Sequence, residues 1–234
     1  MPLSKGQIAW LTGGTSGIGL EIARALVAHG IRVAVTGRDQ TKLDSTASEL
    51  GVLAVPCDMS NEKDVRSAYA RIVSEMGPVD ILVNNAGISP FTKFSETSIE
   101  EFDEVIDINL TGYFLAVREV LPSMYERKQG AVVQMLSIAS TKAFAGGAAY
   151  IASKFGALGL TNSLREEARK HNVKVIAILP GATETPLWGV EEREKFHERM
   201  MQPEDIALTV VQLLDQPDRM LTEEIVLRPI GGDL

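Results

Sequence analysis

Cysteine is almost absent from this 234-residue chain, which contains Cys57 alone. A single thiol cannot form an internal disulfide, so the chain is expected to fold without cross-links, which fits a reducing, cytoplasmic compartment. Cys57 lies in an apolar strand pattern, and this favours a buried packing role over a catalytic or metal-bound thiol. No histidine, cysteine, aspartate and glutamate cluster has the spacing of metal ligands, so no metal site is expected.

Positive charge is also scarce, because 23 lysines and arginines stand against 31 aspartates and glutamates, for a formal net charge of −8. This balance disfavours nucleic-acid binding and docking on an anionic membrane. No apolar run approaches the roughly 20 residues that span a bilayer, and the N-terminus shows no apolar signal region. The sequon at Asn109 would matter only in a secreted protein and is interpreted as chance.

Short apolar runs alternate with segments of helical periodicity along the whole chain. Runs of this length, rich in valine, isoleucine and leucine, are typical of parallel strands covered on both faces. Asn61 is expected to cap the third helix, and Pro203 suits the first turn of the last helix. The predicted strands are 7–11, 32–36, 53–57, 81–84, 131–136, 174–179 and 224–228.

The alternation predicts an α/β fold of Rossmann type, a doubly wound parallel sheet of about seven strands with helices on both faces. No linker, repeat or low-complexity tract is present, so residues 1–234 are expected to form a single dinucleotide-binding and catalytic domain. The least regular stretch, about 183–202, contains Trp188 and a charged run. It is interpreted as a short substrate lid, and a solvated surface helix is the compatible alternative.

A glycine-rich turn follows the first predicted strand and opens a helix. Glycine lets the backbone approach a pyrophosphate, whose charge the free N–H groups and the positive helix end stabilise. A plain strand–helix turn is the alternative, and the position after the first strand favours the nucleotide. The turn residues assigned to the cofactor are Gly13, Thr15, Ser16, Gly17, Ile18 and Gly19.

The end of the second strand predicts which cofactor is used. Folds that prefer NAD usually place an acidic residue there to bind the ribose 2′-hydroxyl, whereas this chain has Gly37 followed by Arg38. An arginine can hold a 2′-phosphate through two charge-assisted hydrogen bonds, so NADP(H) is predicted over NAD(H). The alternative is a surface arginine paired with Asp39. The glycine turn supplies no second basic residue, which weakens the prediction.

Two further segments at strand ends are assigned to the cofactor. Asp58, with Met59 beside it, follows the third strand, and its carboxylate could accept a hydrogen bond from the adenine amino group. The stretch Asn85-Ala86-Gly87 ends the fourth strand at the edge where such sheets contact ligands, and a simple turn is the alternative.

Tyr150 and Lys154 are the main candidates for catalytic residues. Residues four apart on a helix share a face about 6 Å apart along the axis, so the lysine can hold its charge near the phenol and favour the phenolate. Ser137 lies 13 residues before the tyrosine. Taken singly, each residue has an ordinary structural explanation, as does Asn109, which inside a helical pattern is commonly a kink or a cap.

Together these motifs resemble the short-chain dehydrogenase/reductase family in its compact branch, nearest to 3-oxoacyl-[acyl-carrier-protein] reductases and related carbonyl reductases. The resemblance implies that Tyr150 is the general acid, Lys154 favours the phenolate and binds the nicotinamide ribose, and Ser137 stabilises the substrate oxygen. It implies that Asn109 anchors a water connected to Lys154. The segment expected to hold the nicotinamide contains Pro180, Gly181, Thr183 and Thr185.

The resemblance implies an NADP(H)-dependent reductase of a ketone or aldehyde, with thioester-linked 3-oxoacyl groups among the candidates, assembled as a homodimer or homotetramer. One alternative is an NAD-linked alcohol or sugar dehydrogenase, and another is a nucleotide-sensing or scaffolding protein without turnover. The pairs Arg127-Lys128 and Arg169-Lys170 could form a basic edge for an acyl carrier, or simply complement helix ends. Candidate pocket residues are Phe91, Phe94, Ile138, Phe144, Leu187 and Trp188.

Overall fold

The computed structural model describes residues 2–234, and a seven-stranded parallel sheet lies at its centre. The strand order is β3-β2-β1-β4-β5-β6-β7, and every neighbouring pair runs parallel. The predicted doubly wound sheet is therefore confirmed, with every strand end within one residue of its expected place. The strands are β1 (Ile8–Thr12), β2 (Arg32–Gly37), β3 (Leu53–Pro56), β4 (Ile81–Asn84), β5 (Gly130–Met135), β6 (Val173–Pro180) and β7 (Glu224–Leu227).

Helices cover both faces of this sheet. On one face, Ile22 and Leu26 of the first helix pack with Ile206 and Val210 of the last. The opposite face buries side chains of the third, fifth and sixth helices. The helices are α1 (Gly17–Ala28), α2 (Gln40–Leu50), α3 (Glu62–Met76), α4 (Ile99–Ile106), α5 (Gly112–Arg127), α6 (Ala148–Ala168), α7 (Val190–Phe196) and α8 (Pro203–Leu214).

Local sequence signals set several helix ends. The Asn61 side chain accepts hydrogen bonds from the N–H groups of Lys63 and Asp64, so the expected cap of α3 is confirmed. Pro203 is the first residue of α8, where its missing N–H costs nothing. Gly51, at the end of α2, has φ of 65°, a left-handed conformation that glycine adopts without a Cβ penalty.

The strand order positions the ligand-binding edge of the sheet. From β1 the chain first builds outward through β2 and β3, and then returns to build β4 to β7 on the other side. At such a reversal the loops diverge and leave a crevice at the carboxyl ends of the strands. Within residues 2–234, no helix is long and apolar enough to cross a bilayer, and no acidic, histidine and cysteine side chains group as metal ligands.

The arginines of the predicted basic edge are engaged within the chain. Arg127 donates to the Asp80 carboxylate and to the Val79 carbonyl, both at 2.6 Å. Arg169 forms an ion pair with Glu223. These contacts tie α5 and the end of α6 to the sheet and give both arginines a structural role.

Candidate active site

A cleft of about 770 Å³ opens at the carboxyl ends of the strands. Its β2–β3 end is lined by residues that follow those strands, such as Arg38 and Asp58, and its β5–β6 end by Phe144 and Trp188. All of the site residues predicted from the sequence line this cleft except Gly19 and Asn109, which are buried behind its wall. The structure thus brings together residues drawn from positions 13 to 185 of the chain.

The glycine-rich turn packs closely against the end of β4. Gly13 has φ of 65°, and a Cβ there would lie 2.8 Å from the Cα of Ala86. A Cβ on Gly19 would collide with the Gly13 carbonyl oxygen. Any larger residue at either position would therefore push the turn away from the wall of the cleft.

Asn85 holds this turn in place. Its side-chain Nδ2 donates to the carbonyl oxygens of Thr12 and Gly13, at 3.2 and 3.0 Å. In return, the Thr12 hydroxyl accepts from the backbone N–H groups of Asn85 and Ala86, at 3.0 and 3.1 Å. These four hydrogen bonds join the ends of β1 and β4, so the Asn85 side chain shapes the glycine turn from behind.

The N-terminus of α1 is left open toward the cleft. Ser16 precedes the helix without capping it through its side chain, and the first turn contains no acidic residue. In contrast, the side chains of Asp39, Asn61 and Ser98 cap α2, α3 and α4. The first N–H groups of a helix lack intrahelical partners and carry partial positive charge, so this end suits a pyrophosphate.

Two basic residues lie at the β2–β3 end of the cleft. Arg38 Nη1 is 3.6 Å from Glu104 Oε1, so the arginine pairs with α4 rather than with Asp39. Asp39 instead accepts a hydrogen bond from the Lys42 N–H and caps α2. Lys42, in the first turn of α2 and four residues after Arg38, also lines the cleft and supplies the second cation that the glycine turn lacks. Sequence reasoning missed it, although its spacing from Arg38 was visible.

Asp58 is held as an ionised acceptor beside Arg38. Partial burial acts to raise its pKa, but hydrogen bonds from the Ser60 N–H and hydroxyl and the charge of Arg38 outweigh burial. The pKa of Asp58 therefore lies below its ordinary value. The two Ser60 bonds measure 2.9 and 2.8 Å and fix the carboxylate at the cleft wall.

Tyr150 and Ser137 meet in the middle of the cleft. Tyr150 is buried in the first turn of α6, and Ser137 follows β5 closely. Burial raises the pKa of Tyr150, and a hydrogen bond with the Ser137 hydroxyl offsets only part of the rise. The phenol therefore stays protonated at neutral pH, where it can donate a proton.

Lys154 lies one helical turn beyond Tyr150, with its Nζ 5.7 Å from the centre of the Tyr150 ring. The ammonium donates to the Met135 carbonyl at 2.9 Å and to the Tyr113 hydroxyl at 3.4 Å. Burial lowers the pKa of Lys154 to about 7. The lysine can therefore gain or lose a proton near neutrality.

Tyr113 is a neighbour of the site that sequence reasoning missed. It is fully buried on α5, and its hydroxyl donates to the Met135 carbonyl at 2.7 Å. The same hydroxyl is the second acceptor of the Lys154 ammonium. A tyrosine in a helical pattern gives no sign of such a contact, because Tyr113 and Lys154 lie 41 residues apart.

Asn109 occupies a π-helical turn, Asp107–Thr111, between α4 and α5. Its Nδ2 donates to the Ile88 carbonyl at 2.8 Å and to the Ser153 hydroxyl at 3.1 Å, while its Oδ1 accepts from the Ile88 N–H at 2.9 Å. Turns of this kind are rare and often occur at functional sites. The side chain thus ties the loop after β4 to α6 immediately beside Lys154.

Aromatic side chains line the β5–β6 end of the cleft. The ring of Phe91 lies 6.2 Å from that of Phe144 and 5.8 Å from that of Trp188, measured between centroids. Ile138 and Leu187 line the same end. The expectation for Phe94 is wrong, because its side chain is 85% exposed and lies outside the residues that line the cleft.

Comparisons with known proteins agree with this arrangement. The short chain dehydrogenase family model matches residues 7–195. The chain belongs to this family. A sepiapterin reductase of Chlorobaculum tepidum is 38% identical, over 97% of this chain and 98% of the relative. An uncharacterized oxidoreductase of Staphylococcus haemolyticus is 33% identical, over 96% and 98%.

Solved structures of short-chain dehydrogenases share the fold. A metagenomic short-chain oxidoreductase in complex with NADP has a TM-score of 0.85 and 33% identity, covering 96% of this chain and 97% of its own. An actinorhodin polyketide ketoreductase variant with NADPH has a TM-score of 0.88 and 32% identity, covering 98% of both chains. The predicted family is confirmed, and the protein is an NAD(P)-dependent oxidoreductase of that family.

Proposed function

We propose that this short-chain dehydrogenase reduces a ketone or aldehyde to an alcohol with NADPH. The observation that carries the proposal is the cluster in the middle of the cleft. A protonated phenol, Tyr150, shares a hydrogen bond with the Ser137 hydroxyl, and a buried ammonium, Lys154, lies one helical turn beyond it. These groups match the needs of a carbonyl reduction, which consumes one proton and develops negative charge on oxygen.

The cleft has the donors that a phosphorylated dinucleotide requires. The open N-terminus of α1 and the close glycine turn suit the pyrophosphate, and Arg38 with Lys42 suits a 2′-phosphate. We assign Asp58 to the adenine and the segment from Pro180 to Thr185 to the nicotinamide, and the position of both along the cleft wall supports this assignment. When bound, the nicotinamide supplies the hydride that reaches the carbonyl carbon. The complexes of related structures with NADP and NADPH support this choice.

The protein's own residues manage the proton. Ser137 and Tyr150 would both hydrogen-bond the carbonyl oxygen and stabilise its developing charge. Tyr150 then donates its proton to that oxygen. Because burial raises the pKa of Tyr150, the phenol holds its proton at neutral pH and is a poor base there, which favours reduction over the NAD-linked oxidation that is the alternative.

Lys154 stabilises the phenolate that remains. Its pKa of about 7 lets it pass a proton on near neutrality, and its ammonium can also hold the ribose hydroxyls of the cofactor. We place a water near Asn109 as the next carrier toward solvent. The hydrogen bonds of Asn109 to Ile88 and Ser153 support this role, since they fix the π-helical turn beside the lysine.

The segment 183–202 is proposed as a lid over the β5–β6 end. It includes α7, and Glu184 joins the two ends of the segment by accepting from Gln202 Nε2 at 3.0 Å and pairing with His197 at 2.6 Å. Thioester substrates remain among the candidates. A carrier-binding basic edge has less support, because Arg127 and Arg169 are committed to Asp80 and Glu223.

The first experiment is to follow NADPH and NADH oxidation by the purified protein against a panel of ketones, aldehydes and acetoacetyl thioesters. Tyr150→Phe removes the proton donor and leaves the ring, so turnover should fall at least about a hundredfold. NADPH affinity, measured by fluorescence titration, should stay within about twofold. Tyr125→Phe is the control, since the Tyr125 hydroxyl is buried on α5 without a hydrogen-bond partner.

Turnover that survives in Tyr150→Phe would show that another group donates the proton. If the wild-type protein binds NADPH tightly and turns over no carbonyl in the panel, the nucleotide-sensing alternative gains support.

A further inference from the structure

We propose that Asp233 determines which substrates enter: it holds the Lys142 ammonium in an ion pair at the β5–β6 end of the cleft, so the protein accepts uncharged carbonyl compounds with a flat apolar body and disfavours anionic ones. This inference rests on the proposed carbonyl reductase function and narrows its substrate class.

Lys142 and Asp233 form an ion pair although they lie 91 residues apart in the sequence. Lys142 lies in the loop between the 3-10 turn Ile138–Ser140 and α6, and its N–H donates to the Ile138 carbonyl at 3.0 Å. Its Nζ is 2.8 Å from Asp233 Oδ2, which belongs to the segment after β7. Both side chains line the cleft together with Leu234. The ion pair therefore forms part of the substrate-facing wall.

Asp233 is anchored by more than this lysine. Arg228 Nη1 donates to both carboxylate oxygens, at 3.1 and 2.9 Å, and Arg199 Nη2 donates to the Asp233 backbone carbonyl at 3.1 Å. The hydrogen bond from Lys142 and the charges of Arg228 and Lys142 lower the pKa of Asp233. The carboxylate thus remains ionised at neutral pH and stays in its place beside the lysine.

The remaining charges of the cleft lie elsewhere. Among the described residues that line it, Lys142 and Asp233 are the charged ones at the β5–β6 end, and Lys154 stands at the chemical centre. The other charged lining residues, all at the β2–β3 end, are Arg38, Asp39, Lys42 and Asp58. A substrate at the β5–β6 end therefore meets one cation, which is already paired.

The apolar part of the same wall suits a flat body. Phe91 lies between Phe144 and Trp188, in ring contact with both, and keeps 54% of its side chain exposed. Aromatic faces and edges pack well against planar rings, and burial of such area stabilises the complex. An anionic substituent on that body would either displace Asp233 from Lys142 or lie against its carboxylate, and both cost free energy.

The test compares a matched pair of ketones, methyl 4-acetylbenzoate and 4-acetylbenzoate, which differ by one negative charge. We expect the wild-type protein with NADPH to show a kcat/KM for the ester at least about tenfold higher than for the acid. Asp233→Asn frees Arg228, which does not line the cleft, and Lys142, which does, and should raise the acid-to-ester ratio about tenfold. The double variant Lys142→Gln, Asp233→Asn should lose that gain, and Glu198→Gln, an exposed lid acid, serves as the charge-matched control.

A second measurement is independent of turnover. Benzoate and methyl benzoate are titrated by calorimetry into the protein saturated with NADP, and Asp233→Asn should bind benzoate about tenfold more tightly with methyl benzoate unchanged. Equal benzoate affinities in the two proteins would overturn the assignment. A protein that reduces no carbonyl, yet gains benzoate affinity in Asp233→Asn, would refute the proposed reaction and leave the role of Asp233 standing.

Discussion

Lys154 keeps an ammonium group in the interior with a carbonyl and a phenol as its hydrogen-bond partners. Desolvation disfavours the charged form, which explains the lowered pKa of about 7. The Tyr113 hydroxyl opposes that effect, since it accepts a hydrogen bond from the charged form. Lys154 therefore has two tyrosine neighbours: Tyr150, the group that we propose it assists, and Tyr113, which we propose as a positioning residue behind it.

Tyr113→Phe tests that role. Loss of the acceptor should lower the pKa of Lys154 further, so the ammonium is lost at a lower pH. The proposed reduction needs the charged form of Lys154. The fall of kcat at alkaline pH should therefore move to lower pH by about half a pH unit or more. Full pH profiles of kcat in both proteins check this. An unmoved profile, with only a change in thermal stability, would mean that Tyr113 merely packs.

Arg38 is the residue that we propose discriminates between NADPH and NADH. Arg38→Asp removes two charge-assisted hydrogen bonds to a 2′-phosphate and adds repulsion, so NADPH affinity should fall about a hundredfold while NADH affinity changes less than about threefold. Arg66→Asp has the same charge change on exposed α3 and is the control. Fluorescence titrations with both cofactors provide the measurement, and equal losses would contradict the assignment of NADP.

At the scale of secondary structure, the π-helical turn between α4 and α5 is the distinctive element. It joins α4 directly to α5 beside the cleft. At this turn the Asn109 side chain donates to both the Ile88 carbonyl and the Ser153 hydroxyl. A kink or cap was the ordinary structural alternative for Asn109, and the π-helical turn shows that this residue does lie at an irregular point of the helix. The partners of its side chain were not predictable, because they lie 21 and 44 residues away.

Asn109→Ala should therefore damage both stability and function. It leaves the half-buried N–H and carbonyl of Ile88 without partners, which should lower the free energy of unfolding by about 2 kcal/mol. Turnover should fall more than NADPH affinity, since the turn supports Lys154. Asn61→Ala is the comparison: loss of this helix cap should cost about 1 kcal/mol and leave kcat unchanged. Urea unfolding measures the loss of stability, and steady-state kinetics measure the loss of turnover. An unaffected kcat in Asn109→Ala would contradict the proposed support of Lys154 by Asn109.

At the scale of the whole molecule, exposed apolar residues mark the outer faces of α5 and α6. Phe114 and Phe155 are both exposed there, the latter at 47%. Large apolar side chains grouped on a surface commonly indicate an interface. With the family resemblance, this supports the proposal of a homodimer or homotetramer through these helices.

Sedimentation at micromolar concentration tests the assembly. The wild-type protein should sediment as a dimer or tetramer, and Phe155→Glu, which puts a charge into the interface, should shift the equilibrium toward the monomer by at least about tenfold in dissociation constant. Glu166→Gln on the same helix is the control. A wild-type protein that sediments as a monomer would refute the proposed assembly.

The sequence by itself determined the strands, the glycine turn, the cap at Asn61 and the spacing of Tyr150 and Lys154. These features depend on residues that are close in the sequence, through side-chain periodicity, backbone preference and local hydrogen bonds. They can therefore be predicted from the sequence. The tertiary structure alone decided that Lys154 contacts Tyr113, that Asp233 pairs with Lys142, and that Phe94 turns to solvent. Those outcomes depend on which distant segments the strand order brings to one edge of the sheet. Local sequence patterns do not predict contacts between residues so far apart in the chain.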